Sequence, residues 1–83
     1  MTGGSEAPGR LRWKCRRGMR ELDVLLSEFL RTRYAALDPS LQHAFSELLE
    51  LQDPEIWAYL LDRAEPETGL VEIVRQIRDF SPR

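Results

Sequence analysis

The chain has 83 residues, of which 42% are hydrophobic and 31% are charged, and its formal net charge is −2 at pH 7. This length allows one domain, and the composition is that of a soluble globular protein, not of a disordered, collagen-like or membrane-spanning one. One cysteine excludes an internal disulfide framework, and one cysteine with one histidine cannot form a four-ligand structural zinc site.

Charge is distributed unevenly along the chain. Residues 1–20 contain six Lys or Arg and one Glu, whereas residues 21–83 contain six Arg and thirteen Asp or Glu.

No apolar run reaches the roughly 18 residues of a membrane span. The first residues also lack the apolar stretch of a signal peptide and the arginine-rich helix of a transit peptide. We therefore expect a bacterial cytoplasmic protein and consider the mitochondrial matrix less favoured.

The two ends of the chain are predicted to be tails around one helical domain. Residues 1–9, MTGGSEAPG, are small and polar with Pro and Gly, which is typical of a flexible segment. The helical domain is expected over residues 10–80, starting with a short helix around residues 11–17, and residues 81–83 form a C-terminal tail.

Apolar residues at three- and four-residue spacing predict four further helices. Two Asp-Pro pairs, Asp38-Pro39 and Asp53-Pro54, indicate helix starts, because Asp is a good N-cap and Pro fits the first turn. EPETG, residues 65–69, separates the last two helices. The predicted apolar stripes are Leu22, Leu25, Leu26, Phe29, Leu30, Tyr34 and Leu37; Leu41, Ala44, Phe45, Leu48 and Leu49; Ile56, Trp57, Leu60, Leu61 and Ala64; and Leu70, Ile73, Val74 and Ile77. No alternating strand pattern occurs, so we predict an all-α, single-domain bundle of about five short helices.

The segment WKCRRGMRELD, residues 13–23, concentrates charge around a glycine. If residues 10–25 are helical or nearly so, Leu11, Cys15 and Leu22 lie on one line that faces the core, with Met19 beside it. Trp13, Arg17 and Glu21 are then spaced four apart on the opposite side, and tryptophan and arginine are the residues that most often anchor protein interfaces.

Gly18 sits within this face, where the absence of a side chain lets another molecule approach closely. Residue pattern alone leaves a plainer interpretation open. Arg17 and Glu21 could be an exposed ion pair, and Gly18 could be the C-terminal cap of the first helix.

Three other side chains have a chemistry that a functional site could use. Cys15 is expected to be a small buried residue, although Arg16 and Arg17 would lower its pKa if it were exposed. His43 lies off its helix's apolar stripe and should face solvent, and Trp57 should lie in or near the core. Because no phosphate loop and no nucleophile with a base are found, we predict that the chain is not an enzyme. The Asp and Glu residues of the later helices have no metal-ligand spacing, so we predict no metal site either.

The same segment resembles the signature of the succinate dehydrogenase assembly factors. These small helical proteins promote covalent attachment of FAD to the flavoprotein subunit of succinate dehydrogenase and, in some bacteria, of fumarate reductase. Their Arg-Gly-x-x-Glu motif is matched by Arg17, Gly18 and Glu21. LLELQDPEIWAYLL, residues 48–61, is similar to the family's second recurring block. The resemblance covers about residues 10–78.

The resemblance implies a partner-binding surface and no catalytic site. Arg17, Gly18 and Glu21 would meet the flavoprotein, and the surrounding contact would come from Trp13, Arg16, Met19, Arg20 and Asp23. Flavinylation is implied to be a self-catalysed reaction of the flavoprotein, which the factor assists by favouring the aligned conformation. FAD would belong to the partner, and the chain would bind no cofactor stably, insert in no membrane and be monomeric when free.

The sequence leaves three alternative functions open. A nucleic-acid-binding regulatory module could use the basic residues Arg10, Arg12, Lys14, Arg16, Arg17 and Arg20, although the sequence pI of 5.4 and the missing helix-turn-helix spacing oppose it. An antitoxin-like partner of a membrane-associated toxin is the second alternative. A small enzyme that uses Cys15 is the third.

Overall fold

A computed structural model describes residues 9–80, and within this range the chain forms five α-helices and no β-strand. The helices are α1 (Gly9–Lys14), α2 (Arg20–Arg33), α3 (Pro39–Leu48), α4 (Asp53–Leu60) and α5 (Val71–Asp79), with 3-10 turns at Tyr34–Ala36 and Thr68–Leu70. The predicted all-α bundle of about five helices is confirmed. The predicted tails lie outside the described residues, except for Gly9, which begins α1.

All five helices contribute apolar side chains to one core. Phe29 of α2 is buried in it, with its ring centroid 5.6 Å from that of Phe45 and 5.4 Å from that of Phe80. Leu11, Cys15 and Leu22 are buried as predicted, while Met19 packs against the cluster and is partly buried. The largest fully buried side chains are Phe29, Phe45, Leu22, Leu26, Leu48, Ile56, Ile73, Ile77, Val74 and Cys15.

α2 is shorter than its apolar stripe suggests. The helix ends at Arg33, and Tyr34–Ala36 continue as a 3-10 turn. Pro39 prevents the helical path from continuing past this turn, because a proline disfavours the helical conformation of the residue before it. Asp38 is accordingly extended and caps α3 as predicted, its carboxylate accepting a hydrogen bond from the Leu41 N–H at 3.0 Å.

The prediction that Asp53 caps α4 is wrong. The N-cap is Gln52, and Asp53 is the first helical residue. The Glu55 carboxylate accepts the Gln52 backbone N–H at 3.1 Å, so the start of the helix is closed without Asp53. The Asp53 carboxylate instead binds Arg17 and Met19, far away in the sequence.

The end of α4 also differs from the prediction. The predicted apolar stripe includes Leu61 and Ala64, but the helix stops at Leu60 and both residues are exposed. Asp62 has a left-handed backbone with φ of 61°, which reverses the chain. The Asp62 N–H donates to the Tyr59 carbonyl at 3.1 Å and the Arg63 N–H to the Ala58 carbonyl at 2.8 Å. This pair of bonds is a Schellman closure, which satisfies carbonyls that the helix leaves without partners.

Two single-residue predictions can be compared directly with the structure. His43 is exposed as predicted and lies 3.3 Å from Glu47 on the surface of α3. Trp57 is half-buried and packs against the core, also as predicted.

Among residues 9–80, no helix is long and apolar enough to cross a membrane.

Candidate partner-binding site

The segment around Gly18 is a turn between two helices. α1 ends at Lys14 and α2 begins at Arg20, so residues 10–25 do not meet the condition of being helical or nearly so, on which the predicted face depended. The short first helix also ends earlier than the predicted residue 17. Trp13, Arg17 and Glu21 therefore do not share one helix face. Gly18 is neither inside a helix nor the cap that directly follows α1.

Arg17 is directed into the protein at this turn. Its Nε donates to Asp53 Oδ1 at 2.7 Å, and its Nη2 donates to the Leu51 carbonyl at 2.6 Å. Its Nη1 donates to the carbonyls of Lys14 at 2.8 Å and Leu49 at 3.1 Å. The side chain is only 11% exposed. The suggested Arg17–Glu21 surface ion pair is therefore wrong, because this guanidinium pairs with Asp53.

Both carboxylate oxygens of Asp53 accept hydrogen bonds from the α1–α2 turn. Oδ1 accepts from Arg17, and Oδ2 accepts the Met19 backbone N–H at 3.0 Å. The Arg17 hydrogen bond, supported by the Met19 N–H, holds the pKa of the Asp53 carboxyl below its usual value. The carboxylate also lies at the first residue of α4 and beside the N-cap of α2, where helix dipoles favour negative charge.

Gly18 is exposed and has space around it. A Cβ added there would meet only Asp53 Oδ2, at 3.9 Å, which is an ordinary van der Waals distance. The backbone φ is not in the positive region that excludes other residues. The isolated fold therefore does not require a glycine here, and an alanine fits without strain.

The other candidate residues are presented to different degrees. Trp13 is 75% exposed and lies on the side away from the core, as predicted. Arg16, Arg20 and Glu21 are exposed as well. Met19 and Asp23 are half-buried, and the Asp23 carboxylate accepts the Ser27 hydroxyl at 3.4 Å. The structure thus groups all eight candidates at the α1–α2 turn, and whether they bind a partner stays a prediction.

Two residues of this region were not identified as functional candidates from the sequence. Val24 is 50% exposed and lies one helical turn beyond Arg20 and Glu21, so it extends the exposed face along α2. Asp53 was interpreted only as a helix cap. Its occurrence in the second recurring block, 36 residues after Arg17, was the available signal.

Cys15 does not provide a reactive group. Its side chain is fully buried, and the thiol donates to the Leu26 carbonyl at 3.6 Å. Burial raises the pKa of the Cys15 thiol to about 12, although the nearby Arg17 opposes the shift. A thiol in this state is not a nucleophile at neutral pH. Within residues 9–80, no group of three His, Cys, Asp or Glu side chains is arranged to hold a metal ion.

The fold and the site define a small helical protein whose distinctive surface is a charged turn around an open glycine. Residues 9–81 match the family described as flavinator of succinate dehydrogenase, and the chain belongs to this family. The resemblance to the succinate dehydrogenase assembly factors is thereby confirmed. The family consists of assembly factors for flavinylation, not enzymes, which also confirms the prediction that this chain is not an enzyme.

Several bacterial relatives align over most of their own lengths. The FAD assembly factor SdhE of Legionella pneumophila (strain Paris) is 47% identical over 70 residues, which cover 84% of this chain and 89% of the relative. That of Pseudomonas aeruginosa is 45% identical over 71 residues, with 84% of both chains covered. That of Coxiella burnetii is 38% identical over 76 residues, covering 90% of this chain and 93% of the relative.

Proposed function

We propose that this chain binds the flavoprotein subunit of succinate dehydrogenase, or of fumarate reductase, and promotes covalent attachment of FAD to it. The observation that carries the proposal is the family membership over residues 9–81. The structure supports a location for the contact, because the α1–α2 turn exposes Trp13 and leaves open space around Gly18. We place its action in the bacterial cytoplasm, a proposal with which the bacterial origin of the relatives agrees.

The chain would act by binding energy alone. Trp13 offers a large apolar area, and Arg16 and Arg20 offer cationic donors for carboxylates or backbone carbonyls of the partner. Glu21 offers an acceptor, and Gly18 lets the partner backbone come close. Attachment needs a partner histidine aligned with the flavin, and correct placement of reacting groups can remove several kcal/mol, about 7 or more, from a barrier. The factor would favour this aligned conformation and then dissociate.

FAD is proposed to belong to the partner. We expect the chain to be a monomer when free and to bind no FAD stably, so that titrating FAD into it leaves flavin fluorescence unchanged.

A nucleic-acid partner is less well supported, because two of the six basic residues near the N-terminus are engaged within the chain. Lys14 pairs with Glu50, and Arg17 is turned inward.

Flavinylation in cells tests the proposal. A succinate dehydrogenase flavoprotein would be co-expressed, in cells that lack their own factor, with this chain or with its Gly18→Arg variant. We expect covalent flavin fluorescence on a denaturing gel with the wild type and a loss of about tenfold or more with the variant, because a long charged side chain blocks a central contact.

Gly69→Arg is the matched control. Gly69 is exposed, and a Cβ added there would have no neighbour within 4 Å. It lies in the 3-10 turn Thr68–Leu70, which is not part of the α1–α2 turn. The Gly69→Arg variant should support flavinylation as well as the wild type does. Equal fluorescence in all lanes, including the lane without this protein, would contradict the proposed function. Equal loss in both glycine variants would contradict the location of the site.

A further inference from the structure

We propose that Asp53 is a positioning residue of the partner-binding site and that Arg17 acts with it, as an internal anchor instead of a contact to the partner. Together they hold the turn of residues 15–19 in the shape that presents Gly18. This inference rests on the proposed function. It assigns a task inside the molecule to the arginine of the Arg-Gly-x-x-Glu motif.

The first support is the set of segments that one guanidinium joins. Arg17 binds the last residue of α1 through the Lys14 carbonyl, and it binds the α3–α4 connection through the carbonyls of Leu49 and Leu51. It also binds the first residue of α4 through Asp53. Since the guanidinium is planar and rigid, these four bonds fix the direction in which the chain leaves α1.

The second support is the position of Gly18 between two anchored residues. Asp53 Oδ1 binds the Arg17 side chain, and Asp53 Oδ2 binds the Met19 backbone N–H. The residues on both sides of the glycine are therefore held by one carboxylate. Met19 is the N-cap of α2 with an extended backbone, φ −80° and ψ 120°, and no side-chain cap bond closes this helix start. Asp53, at the start of α4, thus anchors the N-terminal end of α2, which has no side-chain cap of its own.

A neighbouring ion pair provides an internal comparison. Lys14–Glu50 joins the same two parts of the chain with the same separation of 36 residues as Arg17–Asp53. Its side chains are 35% and 62% exposed, against 11% and 22% for Arg17 and Asp53. Exposed pairs contribute little because water screens them, whereas the loss of one member of a shielded pair leaves a charge without its partner. Only the Arg17–Asp53 pair should control the turn.

We expect removal of the Asp53 carboxylate to weaken flavoprotein binding, although no direct contact between Asp53 and the partner is lost. When only a fraction of molecules has the binding-competent conformation, the apparent Kd rises by the inverse of that fraction. If removal of the Asp53 carboxylate leaves about one molecule in ten with the turn correctly shaped, flavoprotein binding weakens about tenfold.

The test compares Asp53→Ala and Asp53→Asn with Glu50→Ala in the full chain. Two quantities would be measured below the melting temperature of every variant: the Kd for the succinate dehydrogenase flavoprotein and the hydrogen-exchange rate of the Met19 amide. We expect Asp53→Ala to raise the Kd about tenfold or more and to accelerate Met19 exchange. Asp53→Asn should have an intermediate effect, because one acceptor oxygen remains, and Glu50→Ala should change neither quantity.

A double-mutant cycle separates positioning from direct contact. If Arg17 acts through Asp53, Arg17→Ala and Asp53→Ala weaken binding similarly and the double variant is no weaker than either. Additive losses would show that Arg17 contacts the partner independently and would overturn the inference. Binding by a folded Asp53→Ala within twofold of the wild type would overturn it as well.

The closing measurements also separate this inference from the proposed function. If the wild type binds no flavoprotein, the proposed function fails and the partner-related half of the inference fails with it. Met19 exchange still decides whether Asp53 shapes the turn, because it needs no partner. If Asp53→Ala does not fold, Asp53→Asn and Arg17→Lys, which conserve size or charge, decide the question through the same two measurements.

Discussion

Cys15 shows how one residue's surroundings decide its chemistry. The segment WKCRRGMRELD around it carries three arginines, and such a cationic neighbourhood lowers the pKa of an exposed thiol. The structure places the sulfur in the core, with no exposed surface, so desolvation of the thiolate dominates and raises the pKa to about 12. The arginines instead extend to solvent or, in the case of Arg17, to Asp53.

The thiol should therefore be protected in the folded protein. At a given pH a thiol with a pKa of about 12 carries about a thousandfold less thiolate than one with a pKa of 9.0. We expect a disulfide reagent at pH 8 to react very slowly with native protein and within seconds to minutes in denaturant. Rapid native reaction at one equivalent would contradict the burial of Cys15.

The same shift has a consequence at alkaline pH. Because the folded pKa is raised, the contribution of the protonated thiol to stability is fully present below pH 9 and is lost as the pH rises towards 12. Cys15→Ala should remove this part of the pH dependence of the free energy of unfolding.

At the scale of the elements, α4 is defined by how its two ends are closed. Its start uses Gln52 and Glu55, which frees Asp53 to bind the α1–α2 turn. Its end requires a left-handed residue, and that residue is Asp62 and not the usual glycine. The Asp62 side chain is 84% exposed and approaches Arg78 at 3.8 Å, a distance at which an exposed pair adds little.

Asp62→Gly should stabilise the protein. Glycine adopts a positive φ without the steric cost of a Cβ, and we expect a gain of about 0.5 to 1 kcal/mol, which corresponds to a melting temperature higher by roughly 2–8 °C for a domain of this size. Asp62→Ala is the control and should lower the melting temperature, because it keeps the Cβ and loses the polar group that tolerates this conformation. A lower melting temperature for Asp62→Gly would argue that the Arg78 contact outweighs the backbone strain.

At the scale of the whole molecule, acidic side chains connect and cap the helices. Hydrogen bonds from Arg17 and Met19 lower the pKa of Asp53, which joins α4 to the α1–α2 turn. The Leu41 N–H and the Ser40 hydroxyl lower the pKa of Asp38 at the start of α3. The Lys14 hydrogen bond lowers the pKa of Glu50 in the α3–α4 connection.

These shifts predict acid sensitivity. A carboxylate whose folded pKa is lowered stabilises the fold above its unfolded pKa, about 4, and this contribution is lost as the pH falls through the folded value. Denaturant unfolding should therefore show a nearly constant free energy from pH 7 to about 5 and a decline below about pH 4. Most of the decline should come from Asp53, because water screens the exposed carboxylates of Asp38 and Glu50. Asp53→Asn should be less stable at pH 7 and should decline less in acid. An equal decline in this variant would place the acid sensitivity elsewhere.

Much of the fold follows from sequence patterns. The apolar spacing of residues such as Leu22, Phe45 and Ile73 predicts which faces are buried, because a regular helix brings residues three and four apart to one side. Asp38-Pro39 predicts the start of α3, since its cap bond spans only three residues. The arrangement Arg17, Gly18 and Glu21, seen with the second block, was also sufficient to recognise the family.

Other features were decided only by tertiary structure. Whether Asp53 caps α4 or binds Arg17 depends on how close α1 comes to the α3–α4 connection, which no local spacing reveals. For the same reason, an arginine that looks like a surface residue can be an internal anchor, and a thiol among arginines can be inert. Local hydrogen bonds and periodicity are encoded within a few residues of sequence, whereas contacts between residues 36 positions apart exist only after the core has brought the helices together.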